Sequence, residues 1–75
     1  LFSWVPYNEK EYILRDNEHN FYCIIRKVKR RFGIWWEVSG YGKHSKKIIK
    51  IMFPDILQAE IHALEQTEKI IWEER

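Results

Sequence analysis

The sequence predicts an α+β domain, a three- or four-stranded antiparallel sheet with one C-terminal helix packed across one face. Three observations predict it. Residues 21–40 hold two runs rich in aromatic and β-branched side chains on either side of Gly33, the pattern of a β-hairpin. Further short apolar runs are bounded by the polar turn 16–20 and the basic loop 40–47. Beyond Pro54 and Asp55, apolar residues recur at helical spacing to the end of the chain.

Taken in order, residues 1–10 open with LFSWVPY, apolar and aromatic, with a proline that disfavours helix and favours an extended segment laid over the body. Trp4 is a candidate cover for an aromatic on the sheet. Residues 11–53 form the sheet region. EYILR, residues 11–15, reads as a strand with Tyr12 and Leu14 on one face and Ile13 on the other. Asp16 to Asn20 make a polar turn, and on a turn and a strand the spacing of His19 and Cys23 does not make a metal pair.

The hairpin follows, with a loop of three or four residues drawn from Arg30, Arg31, Phe32 and Gly33. Register decides its faces, because a one-residue slip turns every side chain over. In one register Trp36, Val38, Val28, Ile24 and Tyr22 face the core, and Trp35 and Glu37 look outward beside Lys27, Lys29, Cys23 and Ile25. In the other, Trp36 looks outward. Either way one Trp lies opposite the core near cations, where it is covered by a terminal segment or serves as an aromatic contact.

Residues 40–47, GYGKHSKK, form a basic loop that lacks the spacing of a P-loop. KIIKIMF, residues 47–53, reads as a strand with Ile49, Ile51 and Phe53 on one face and Ile48, Lys50 and Met52 on the other. Asp55 is the expected helix N-cap, with Gln58 completing a capping box. The helix then covers residues 55–74. Leu57, Ile61, Leu64 and Ile71 make one half of its apolar face, and Ile56, Ala59, Ala63 and Ile70 the other. Glu60 and Thr67 interrupt that face. Glu60 is expected at the seam with a sheet Arg such as Arg26, and Thr67 bonded to a backbone carbonyl.

Seventy-five residues bound the chain to one small domain, 1–75, near the lower limit for a core without covalent staples. Its single cysteine, Cys23, excludes an intrachain disulfide and sits in an apolar run, as a buried small hydrophobe would. Four Trp, four Tyr and four Phe supply the packing area. The reading is an intracellular protein, cytoplasmic or nuclear, with no signal peptide and no membrane partner, since the longest apolar run is residues 21–25. There is no nucleophile-base pair, carboxylate pair or metal-ligand cluster at usable spacing, so neither an enzyme nor a cofactor or metal is expected.

Charge is more informative. Residues 1–54 carry eleven Lys and Arg against five Asp and Glu, a balance of +6, whereas residues 55–75 carry two against six, or −4. Nine of the cations and one acid, Glu37, fall within residues 26–50. A basic sheet backed by an acidic helix attracts polyanions to one side.

A basic sheet followed by one helix, with Tyr22 opening a strand, Arg26 among basic residues, Gly33 ahead of Trp35, and Ala59 six residues after Phe53, resembles the AP2/ERF DNA-binding domain and the arm-binding domain of phage-type integrases. The resemblance covers residues 22–64. It implies a sheet that enters the major groove, a helix packed behind it, and contact roles for Arg26 and Trp35, with Lys27, Lys29 and Lys50 as neighbours. The chain departs from the family in an extra N-terminal strand, in CIIRKVKR where a denser Arg pattern is usual, and in Ile49, Lys50 and Ile51 where Trp-Leu-Gly stands.

The expected function is therefore a small nucleic-acid-binding module, DNA before RNA. Arg26, Lys27, Lys29, Arg30, Arg31, Lys43, Lys46, Lys47 and Lys50 would contact phosphates, and Trp35 would stack or wedge. The alternative is a protein-interaction module, a phage-like inhibitor or a small subunit, that meets an acidic protein surface through the sheet edge and aromatics. A homodimer through the outer sheet face is a variant of it.

Overall fold

The computed structural model describes residues 2–74 and is α+β. Its strands are β1 (Phe2–Asn8), β2 (Glu11–Asp16), β3 (Phe21–Arg30), β4 (Gly33–Gly40) and β5 (Ile51–Phe53). A helical turn, Gly42–His44, follows β4, and the helix α1 (Ile56–Glu73) follows β5. The strands form one antiparallel sheet in chain order, β1 to β5. Five strands form where three or four were expected, because residues 2–8 pair with β2 as an edge strand. Pro6, which has no N–H to donate, is accommodated there because the outer edge of β1 needs no partner.

The register settles the faces of the hairpin. Cys23 stands opposite Gly40, Ile25 opposite Val38 and Lys27 opposite Trp36, so the side chains beneath α1 are Leu14, Cys23, Ile25, Trp36, Val38 and Phe53. Trp36 is thus a core-side residue and Trp35 an outer one. Its companions differ from those expected, because Arg30 pairs with Gly33 across a two-residue loop, Arg31 and Phe32, shorter than the three or four residues anticipated. Gly33 closes it at φ +128°, a conformation costly for any residue with a Cβ. Outward beside Trp35 lie Ile24, Arg26 and Val28, while Cys23, Ile25 and Lys27 point to the helix side.

Trp4 also faces the helix side, opposite Leu14, and packs against the core. It does not cover Trp35. The segment ahead of β5 departs from the expected strand as well: only Ile51–Phe53 pairs with β4, Ile48 is buried, and Ile49 is 76% exposed.

Asp55 caps α1 by accepting a hydrogen bond from the Leu57 N–H at 2.7 Å. No reciprocal Gln58 bond accompanies it among the described residues. The helix buries Ala59, Ala63, Thr67 and Ile70, a narrower stripe than the sequence pattern suggests. Leu57 and Ile61 are 64% and 57% exposed, a correction to the broad face. Small residues at 59 and 63 let the helix settle close to the large side chains of the sheet, which turns Leu57 and Ile61 outward. The Thr67 hydroxyl lies 3.7 Å from the Cys23 sulfur, not on a backbone carbonyl. Burial pushes the Cys23 thiol up to about 11, with the Thr67 contact opposing, so it is an inert packing group.

Candidate nucleic-acid interface

The outer sheet face is not a basic plate. Its centre is apolar, with Ile13 only 3% exposed between its cross-strand neighbours Val5 and Ile24. At the flank, Arg26 Nε donates to Glu11 Oε2 at 2.9 Å, and Lys50 Nζ stands 3.8 Å from Glu37 Oε1. Hydrogen bonds from Asn8 and then from Arg26 hold the Glu11 carboxyl below its ordinary range, against partial desolvation. Arg26 therefore pairs with Glu11 across the β2–β3 ladder instead of with Glu60. Glu60 is on the other side of the sheet, lining a cavity of about 220 Å³ with Trp4, Tyr12, Ile25 and Ile56.

The remaining cations separate into two groups at opposite ends of β4, roughly 23 Å apart at strand rise. Lys43, Lys46 and Lys47 belong to the loop after β4. That loop is fastened down, because Lys47 Nζ donates to Glu74 Oε1 at 3.0 Å and His44 is fully buried, stacked 5.1 Å from the Tyr22 ring. Burial, more than the adjacent lysines, lowers the His44 pKa, opposed by Glu74. Gly40 permits this packing: a Cβ there would lie 2.1 Å from the His44 carbonyl oxygen.

The second group is the end of the β3–β4 hairpin. Pairing of β3 with β2 stops at Arg26, and pairing of β4 with β5 stops at Trp36. The rungs Val28–Trp35, Lys29–Ile34 and Arg30–Gly33 therefore pair only with each other. Three such rungs make a two-stranded ribbon extending about 10 Å past the five-stranded body, along a molecule measuring 42 × 21 × 19 Å. Lys27 is at its base, with Nζ 5.9 Å from the centre of the Trp36 ring, and the Lys27 N–H donates to the Lys10 carbonyl at 2.7 Å. Lys27 and Lys29 point to the helix side, Arg30 to the outer side, and Arg31 and Phe32 form the turn. Among the described residues no carboxylate lies within 4.0 Å of Lys27, Lys29, Arg30 or Arg31.

Val28, Lys29, Arg30, Arg31, Phe32, Trp35 and Met52 line a shallow hollow of about 620 Å³. Trp35 is half-buried in its wall. Phe32 is 90% exposed, with the Arg31 guanidinium carbon 5.6 Å from its ring centre. Sequence reasoning treated Phe32 only as a loop residue. Its signal was an aromatic placed between Arg31 and Gly33 in a turn, where no core can reach it.

Of the ten residues expected to act together, the fold thus gathers Lys27, Lys29, Arg30, Arg31 and Trp35 at one end. Arg26 and Lys50 are engaged with carboxylates on the outer face, and Lys43, Lys46 and Lys47 stand at the far end. No group of His, Cys, Asp or Glu among the described residues is arranged to hold a metal ion, and no helix there is long and apolar enough to cross a membrane. No protein-family model, curated protein or solved structure matches the chain.

Proposed function

We propose that the protein binds nucleic acid, DNA before RNA, through the projecting end of the β3–β4 hairpin. The observation that carries this reading is a two-stranded ribbon whose cations, on both of its faces and at its tip, form no ion pair among the described residues. A groove of a duplex has phosphates along both walls, so a ribbon charged on both sides can neutralise both strands at once. B-DNA grooves admit strands, whereas the deep groove of A-form RNA is closed to side chains, which favours DNA. Arg26 and Trp35, the residues singled out by the resemblance above, share the outer face of the hairpin, but Arg26 would have to leave Glu11 to reach a ligand. Lys43, Lys46, Lys47 and Lys50 become auxiliary contacts at most.

The test is titration of mixed-sequence duplex DNA, single-stranded DNA and RNA at low and physiological salt, following quenching of Trp fluorescence. Saturable binding to duplex that weakens with salt is expected. Charge reversal at Lys27 and Lys29 that leaves the affinity untouched would refute the assignment.

A protein-interaction module is the second reading. One observation favours it: Leu57, Ile61 and Trp72 on α1 are 64%, 57% and 76% exposed. Large apolar groups left bare along one helix mark contact surfaces in many proteins. A second copy is the simplest occupant, and the solution mass decides it.

A further inference from the structure

Among the described residues Phe32 has the highest exposure of the large apolar side chains, at the tip of the ribbon and outside the core cluster. An aromatic ring in water at the end of a charged arm is poorly placed for stability and well placed for contact. We infer that Phe32 is a wedge that enters the base stack of duplex DNA from the minor groove, while Lys29, Arg30 and Arg31 hold the flanking phosphates. This inference rests on the nucleic-acid reading above and adds a mode of action to it, which is bending.

Three features carry it. Arg31 and Phe32 form the two-residue turn, so the ring sits at the end of the hairpin. The cations adjoin it on β3, with Lys29 and Arg30 on opposite faces of the ribbon, and in the turn at Arg31, where the phosphates on either side of an opened step would lie. Finally, Phe32 and the other aromatic of the ribbon, Trp35, line the same hollow, but Trp35 is half-buried and Phe32 is 90% exposed, so the ribbon presents one fully exposed ring. Binders of single strands stack successive bases on successive aromatics along a groove. A lone apolar side chain on a basic projection instead matches the wedges that unstack one step and kink the duplex toward the major groove. Pyrimidine–purine steps and mismatches, which unstack at least cost, should be preferred.

The experiment uses the full chain and a duplex of about 25 base pairs with a central TA step, carrying a donor and an acceptor dye at its ends, a length over which a bend of 40–90° is readily detected. Wild type should raise energy transfer on binding and should bind more tightly when the central step holds a T·T mismatch. Phe32→Ala should bind at least about fivefold more weakly, the low end of a stacking contact, without raising energy transfer and without favouring the mismatch. Phe32→Leu, which keeps an apolar wedge, should retain the bend. Because the ring is exposed, both variants should keep the wild-type circular dichroism spectrum. An equal bend by wild type and Phe32→Ala overturns the wedge, as does wild-type binding with no bend. That second result would leave the phosphate-binding reading standing, whereas no binding by wild type at low salt overturns both.

Discussion

The salt dependence of binding separates the two cation groups, and its size follows from the number of unpaired charges on the ribbon. Lys27, Lys29, Arg30 and Arg31 are four such charges. If each displaces one condensed counterion from duplex DNA, log K falls against log salt with a slope of about −3.6. Between 50 and 200 mM salt that is a loss of about 150-fold in affinity. Replacing Lys29 and Arg30 together by Gln halves the slope to about −1.8, and the loss over the same range falls to about 12-fold. Both side chains are exposed and, among the described residues, form no ion pair, so the fold should be unaffected. Replacing Lys46 and Lys47 by Gln at the opposite end should leave the slope near −3.6. Fluorescence titrations at five or so salt concentrations would measure all three slopes. A slope unchanged by the ribbon pair, or halved by the loop pair, would refute the placement of the site.

Three further outcomes concern the frame that holds the site. Desolvation raises the Asp16 carboxyl, but hydrogen bonds from Asn20, the Tyr22 hydroxyl and the Glu18 N–H outweigh it and leave the pKa at about 2. Its stabilising contribution is thus present above the unfolded pKa of about 3.9 and lost as the pH falls toward 2. Asp16→Asn should be less stable at neutral pH and flatter over that acid window in denaturant titrations. His44 is lowered by burial, so the unfolded chain takes up its proton first and stability falls as the pH drops below about 6.5. His44→Phe, which keeps a ring against Tyr22, should abolish that slope while Glu74 stays paired with Lys47. Gly40→Ala forces the His44 backbone away from a Cβ that would stand 2.1 Å from its carbonyl oxygen. A loss of about 1–3 kcal/mol is expected by chemical denaturation, with the His44 proton resonances moving toward those of an exposed imidazole.

The hairpin and the helix were legible because their signals are local. A glycine between two β-rich runs and a Pro-Asp entry to an apolar periodicity need no knowledge of the rest of the chain. The faces were not legible, since they turn on a single residue of loop length. Pairing of Arg30 with Gly33 shifted Cys23, Ile25 and Lys27 to the helix side. The apolar stripe of the helix was overread for a related reason: periodicity marks which residues share a side, but Ala59 and Ala63 decided which side approaches the sheet. The candidate site was legible as charge and illegible as geometry. Composition shows nine cations within residues 26–50, yet their separation to opposite ends of β4, and the pairing of Arg26 with Glu11, arise only when strands are aligned.

The strand order has a consequence for how the chain is made. Each strand pairs with the one synthesised just before it, so the meander can close hairpin by hairpin as it leaves the ribosome, a sequence of short-range events that favours rapid folding. The helix that covers the sheet emerges after it. Until it does, the sheet residues of the core, Leu14, Ile25, Val38 and Trp36, lack the helix that covers them. The most vulnerable moment of this protein falls between completion of its sheet and delivery of Ala59 and Ala63, an interval in which a holdase chaperone would find its natural grip.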